Sequence, residues 1–203
     1  MKNIFFPVFI LVLASCNNNT KNALAPTTAD SAPAINEAKK DSFFPVTSFI
    51  RGQIRSFDSL LVTPLHTTVI NDKTDSVWIK QNALIPLLKD FLSPEIKETN
   101  LTSFFKESSF NDQTLNAVTF TYDPVRTLPD SISLRHWDVY IDPESGKISK
   151  IYLVKQLRGK DGNITKQLTW KTNKWAGINT ILNKPDGTSV LLKAEKFTWN
   201  FSE

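Results

Sequence analysis

Trp137-Asp138-Val139-Tyr140-Ile141-Asp142-Pro143-Glu144-Ser145-Gly146-Lys147-Ile148 is the stretch whose reading decides the fold. Trp137, Val139 and Ile141 fall on one side of an extended chain, and Asp138, Tyr140 and Asp142 on the other. That is the two-residue period of a half-buried strand. Asp142 to Lys147 supplies Pro, Ser and Gly where the chain must reverse, and Ile148 to Gln156 returns as a second strand. The same period recurs outward from this hairpin. Upstream, Val118, Phe120 and Tyr122 alternate with Ala117, Thr119 and Thr121, and Asp123 to Asp130, with Pro124 and Pro129, reads as a connecting loop. Downstream, Asp161-Gly162-Asn163 turns the chain between strands over 148–156 and 164–172. A strand then runs from Trp175 through Leu182, Lys184-Pro185-Asp186-Gly187 turns it again, and Val190 to Phe201 closes with Phe197, Trp199 and Phe201 on one face. Short turns between successive strands imply antiparallel meander pairing.

Ahead of the strands the period is helical. Ile50, Ile54, Phe57 and Leu61 make one stripe of an amphipathic helix, with Arg51, Arg55 and Asp58 opposite. Thr47 or Ser48 is placed to cap its start, and Thr63-Pro64 ends it. Leu65 to Ile70 alternate loosely, as in a short strand, and Asn71-Asp72-Lys73 is turn material. A second helix is predicted within Ser76 to Leu92, burying Leu84, Leu87 or Leu88, and Phe91. Pro86 leaves two versions of it: a late start near Asn82, or a longer kinked helix from Asp75 or Ser76, which is the version preferred on sequence. The fold class predicted is α+β, with two N-terminal helices followed by a curved antiparallel meander sheet of about seven to nine strands. It is expected as one domain over residues 43–203.

The N-terminus reads differently. Lys2 precedes an apolar run from Phe5 to Leu13, interrupted by Pro7 and far short of the roughly 20 residues a spanning helix needs. Leu13-Ala14-Ser15-Cys16 follows, and it resembles the lipobox of bacterial lipoproteins. The resemblance implies removal of residues 1–15, diacylglycerol on the Cys16 sulfur, and in many bacteria an acyl chain on its amino group. Each buried CH₂ contributes about 0.8 kcal/mol, so three chains hold a protein on a bilayer effectively permanently. Residues 16–42 are rich in Asn, Thr, Ala, Ser and Pro without a hydrophobic period. They read as a disordered tether reaching roughly 25–30 Å. Asp30-Ser31-Ala32 resembles a context that some bacteria O-glycosylate, which makes Ser31 a candidate modification site. Asn17, Asn18, Asn19, Thr20 and Lys21 bring no acidic residue after Cys16, which favours the periplasmic face of the outer membrane.

Composition narrows the function classes. At 40% hydrophobic and 22% charged, the chain has the balance of a globular domain rather than a disordered one. The formal charge of +4 falls to +3 when Lys2 leaves with the leader, and no stripe of Lys and Arg accompanies the excess. Nucleic acid is therefore not an expected partner. The single cysteine, once acylated, leaves no thiol for a disulfide, a metal site or a nucleophile.

Catalytic patterns are sparse. His66 and His136 are too few for a three-histidine zinc site, and neither sits in a His-x-x-x-His spacing. A metal site would need His136 or His66 joined by Asp138, Asp142 or Glu144; the competing reading gives both histidines ordinary structural places. Asp138 and Asp142 share a strand face about 13–14 Å apart, too far for a glycosidase carboxylate pair. Asp142 instead suits capping its own turn or pairing with Lys147. No Gly-x-Ser-x-Gly elbow, Ser-x-x-Lys box or phosphate loop occurs. The expectation is therefore a non-enzyme with no cofactor and no metal. Five tryptophans are available for a core or for stacking on a ligand. Trp170 and Trp175, flanked by Lys171 and Lys174, form the candidate ligand surface.

The quoted hairpin resembles those of PepSY-type domains, where an Asp–Gly–Lys turn joins two sheet strands; this implies a small-sheet binding or inhibitor-like module. The helix-then-sheet layout is similar to lipoprotein carriers, in which a curved sheet and helices enclose acyl chains. Two functions follow as expectations: an envelope lipoprotein whose sheet domain binds a protein partner or serves structurally, or a carrier of a hydrophobic, lipid-like ligand. A hydrolase without a recognisable motif comes third. An apolar cavity lined by Phe and Trp would favour the carrier, and a filled interior the binding module.

Overall fold

The computed structural model describes residues 42–57 and 63–202, which lie within one compact unit. Cys16 and the lipobox, the tether with Ser31, and Leu61 of the helical stripe fall outside the described residues.

Helix α1 spans Val46–Ser56 and buries Val46, Ile50 and Ile54, with Phe57 buried just beyond its end. Arg55 in the last turn complements the negative end of the helix dipole. Neither Thr47 nor Ser48 caps the start. Pro45 holds the N-cap position, and Thr47 lies inside the first turn, fully buried. Its hydroxyl accepts the Ile96 N–H at 2.8 Å, tying a distant loop to the helix. A second tie, Phe43 N–H to the Glu98 carbonyl at 2.8 Å, runs alongside.

Strands β1 (Leu65–Ile70) and β2 (Lys73–Trp78) form a hairpin paired from Leu65↔Trp78 to Ile70↔Lys73. Asn71 and Asp72 both take positive φ, +48° and +61°, the backbone a two-residue hairpin turn requires. This corrects the longer kinked helix. Ser76 to Trp78 are strand, and α2 covers only Gln81–Leu87, close to the late start, with Pro86 inside it. The reason is tertiary, because the backbone groups of 73–78 are taken by β1 pairing. A short 3₁₀ turn, Lys89–Phe91, follows and buries Phe91.

The remaining strands are β3 (Phe105–Asp112), β4 (Ala117–Pro124), β5 (Leu134–Ile141), β6 (Ile148–Arg158), β7 (Asn163–Lys171), β8 (Trp175–Asn183) and β9 (Ser189–Thr198). The described residues form one nine-stranded sheet in the order β2-β1-β9-β8-β7-β6-β5-β4-β3, antiparallel at every pairing, with β2 and β3 as its edges rather than a closed barrel. The α+β meander expected from the sequence is therefore present, extended at the β9 edge by the early hairpin.

One sheet face meets the helices. Tyr122, Trp137, Val139, Ile151, Leu153, Leu168, Trp170, Ala176, Ile178 and Phe197 share it and are buried. Phe43 packs edge-on against Tyr122 and Trp137, Phe57 lies 4.7 Å from Trp199, and Phe91 lies 5.5 Å from Trp170. Each such apolar side chain contributes roughly 1.5–3 kcal/mol on burial. The same face holds a buried cation: the Lys155 ammonium donates to the carbonyls of Asp90 and Ser93. Burial pulls its pKa down to about 8, with the Asp90 charge opposing and Lys166 adding to the fall. Lys166 completes the tie through a 2.6 Å ion pair with Asp90. Phe201, expected on the inner face with Phe197 and Trp199, lies beyond the end of β9 and is 59% exposed, its ring 5.9 Å from Trp78.

Candidate functional site

The opposite face of the sheet carries the polar half of each alternation. Cross-strand register aligns Tyr140, Lys150, Lys171, Trp175, Thr198, Leu65 and Trp78 in one row from β5 to β2. The next row is Asp138, Tyr152, Thr169, Gly177, Lys196, Thr67 and Ser76. A groove of about 350 Å³ opens on this face across β7, β8, β9 and β1, and neither described helix lines it. Gly177 and Ala194 contribute little side chain to its lining, while Trp175, Gln167, Thr169 and Lys196 bring bulk and polar groups. A Cβ on Gly177 would come within 3.2 Å of Trp175 Cζ3, so the indole leans over the space that glycine leaves. The Lys196 ammonium stands 5.0 Å from the Trp175 ring centroid, within cation–π range.

The four residues singled out from the sequence are divided between the two faces. Trp175 and Lys171 are direct cross-strand partners on the open face. Trp170 pairs with Ala176 on the other face, fully buried, 5.1 Å from Trp199. It is a core residue, and in this structure it cannot touch a ligand lying on Trp175. Lys174 sits in the turn between β7 and β8, where its carbonyl accepts the Trp199 and Asn200 N–H groups. Lys150, Lys196 and Gly177 belong to the face and were not marked by sequence. The alternation of Gly177 and Asn179 with Trp175 offers a signal within one strand, but nothing local brings Lys196 beside them. Among the described residues, Lys150, Lys171, Lys174 and Lys196 form no ion pair with a carboxylate.

At the β4–β5 end of the same face lies a compact polar cluster. His136 Nδ1 is 2.7 Å from Asp123 Oδ1, and its Nε2 is 3.0 Å from Asp138 Oδ2. Thr121 donates to Asp138 Oδ1 at 2.7 Å and the Tyr140 hydroxyl to Oδ2 at 3.2 Å. Asp138 is only 8% exposed, so these partners replace the water its carboxylate has lost. Hydrogen bonding to Asp138 raises the His136 pKa to about 9, against burial, with Asp123 adding to the rise. Burial pushes Asp138 upward, yet the bonds from His136 and Thr121 outweigh it and hold the carboxyl below its ordinary value. Tyr140 is pushed up to about 12 by burial and the Asp138 charge. An imidazole charged until about pH 9 has no lone pair to accept a proton at neutral pH, so His136 in this arrangement is not poised as a general base there.

The other candidates from sequence lie apart from it. Asp142 caps its turn, accepting the Ser145 N–H at 2.7 Å and the Glu144 N–H at 3.1 Å. His66 stacks on Phe197 at 4.4 Å with its Nε2 3.3 Å from Glu195. No group of three or more His, Cys, Asp and Glu side chains placed to hold a metal occurs among the described residues.

No protein-family model, curated protein or solved structure matches the chain.

Proposed function

We propose that this chain is a lipid-anchored protein of the bacterial cell envelope that acts by binding, not catalysis, through the open face of its sheet. The observation that carries the reading is the one-sided use of the sheet. Helices and aromatic rings fill one face, while the other presents Trp175 and Lys196 on a groove and further lysines that, among the described residues, have no carboxylate partner. The filled side favours a binding module over a carrier of hydrophobic ligands. Among the described residues its rings contact one another at 4.5–5.9 Å, as at Tyr122 on Trp137 and Phe43 on Trp137. The anchoring half of the proposal rests on Leu13-Ala14-Ser15-Cys16 alone.

Two measurements test it. Intact mass of the protein from its native host should show loss of residues 1–15 and added acyl mass, absent in Cys16→Ser; an unacylated chain that retains its leader refutes the anchor. Amine-reactive labelling of intact envelopes should then modify Lys171, Lys174 and Lys196 several-fold less than in the purified full chain. The exposed turn lysines Lys160 and Lys184 serve as internal references. Equal labelling in both preparations refutes the use of this face.

A further inference from the structure

The geometry points to an acidic saccharide as the ligand of the open face, a sugar ring carrying a carboxylate or phosphate, seated in the groove beside Trp175. This inference rests on reading that face as a binding surface. It draws on three independent features of the face.

The first is positive charge that meets aromatic rings, Lys150 on Tyr140 at 3.7 Å and Lys196 on Trp175 at 5.0 Å, but no carboxylate among the described residues. Lys150 and Lys171 are directly opposed across β6 and β7, a like-charge pairing that costs a sheet stability and that packing does not require on an open face. Lys196 and Lys174 add to the same end of the sheet, and none of the four has a carboxylate partner among the described residues. Glu195 also lines the groove, but its carboxylate lies 2.8 Å from Lys193 Nζ and 3.3 Å from His66 Nε2, while His136 stands 3.0 Å from Asp138. Asp112 at the β3 edge acts on Lys150 only through space. Of the four, Lys196 lines the groove and Lys171 is the cross-strand partner of Trp175, so positive charge adjoins the groove and favours an anion.

The second is shape. A volume of about 350 Å³ falls in the range of small-molecule sites rather than of protein interfaces. Gly177 and Ala194 open it, and the Trp175 indole leans over it, which suits the flat C–H face of a pyranose.

The third is the set of polar groups placed within a mostly apolar lining. Thr67, Thr169, Gln167 and Asn179 offer hydroxyl and amide groups that both donate and accept, matching sugar hydroxyls. Thr67 already pairs with Ser76 at 3.1 Å, and an acyl chain would offer the Thr169, Gln167 and Asn179 groups no hydrogen bond. A flat anionic bilayer could not enter the recess.

The test titrates the full chain, in neutral detergent, with tetragalacturonate as the carboxylate probe, mannose 6-phosphate as the phosphate probe and maltotetraose as the neutral control. Binding is followed by tryptophan fluorescence and calorimetry. At least one acidic probe should bind tenfold or more tighter than maltotetraose. That binding should weaken tenfold or more in Trp175→Ala and in Lys196→Gln, the latter an exposed change that leaves the fold intact. Which of the two probes binds assigns the charged group. The inference is overturned if neither acidic sugar binds, if Trp175→Ala and Lys196→Gln both bind as wild type does, or if only anionic phosphatidylglycerol vesicles bind. Lysine protection in the envelope together with failure of both sugars would retain the binding face and reject the ligand class.

Discussion

His136 Nε2 lies 3.0 Å from Asp138 Oδ2 on the sheet face away from the core, and Asp138 is almost fully enclosed there. The pair gives the protein a definite pH signature. His136 titrates near 9 when folded and near 6.5 when unfolded, so between those values the folded chain binds more protons. Its contribution is complete below about pH 6.5 and is lost as the pH rises through about 9. After allowance for screening at the exposed Asp123, it is on the order of 2 kcal/mol. His136→Gln should therefore destabilise by that amount at pH 6 and by much less at pH 10, read from urea midpoints. Lys155 titrates in the opposite sense, its depressed pKa favouring the folded state as pH rises from about 8, but it cancels in the difference between the two chains. A pH-independent difference refutes the pair. On the acid side, Asp138 lies below its ordinary value, so its share is lost as the pH falls through its folded pKa.

Trp170 and Trp175, five positions apart, separate core from surface. Trp170→Ala should cost about 3–5 kcal/mol, because it opens a cavity between Phe91 and Trp199. Trp175→Ala should cost about 1 kcal/mol or less. Denaturant unfolding of the two variants checks the order, and comparable losses contradict the faces assigned here.

Thr47 replaces a backbone partner for Ile96 inside the protein. Thr47→Val keeps the shape and removes the acceptor, leaving a buried N–H unpaired at a cost of about 1–3 kcal/mol. Thr47→Ser should recover most of that loss. Amide exchange at Ile96 reads the bond directly: protection falls in the valine variant and persists in the serine variant.

Two glycines should respond in opposite directions. At Gly162, with φ +144°, a Cβ would meet the Asn183 carbonyl oxygen at 2.3 Å, so Gly162→Ala must displace backbone and should cost more than about 2 kcal/mol. Gly52 is exposed in α1 with nothing within 4 Å of its Cβ position. Gly52→Ala should raise stability by about 0.5–1 kcal/mol. Thermal midpoints of the two variants should move apart accordingly.

The strands from β4 to β9 were legible in the sequence because alternation and turn chemistry are local properties. Trp137, Val139 and Ile141 carry their own period, and Asp142, Gly162 and Gly187 mark their own reversals. Helix α1 was legible for the same reason, through Ile50, Ile54 and Phe57. The β1–β2 hairpin was only half visible. All six residues of β2 are exposed, so no buried period records it, and the apolar residues that follow made a longer helix look continuous.

What the sequence determined by itself was the type and order of most elements, and which residues within a strand share a side. Tertiary structure alone decided which side is covered and which residues of different strands meet. His66 and Phe197 are paired although 131 positions separate them, and Lys196 reaches Trp175 only because β8 and β9 adopt one register out of many. Trp170 and Trp175 look equivalent along the chain. The register across the β7–β8 turn sends one into the core and leaves the other over the groove. Side-chain parity is written residue by residue, but register between strands is set by the packing of whole faces, which no short stretch of chain contains.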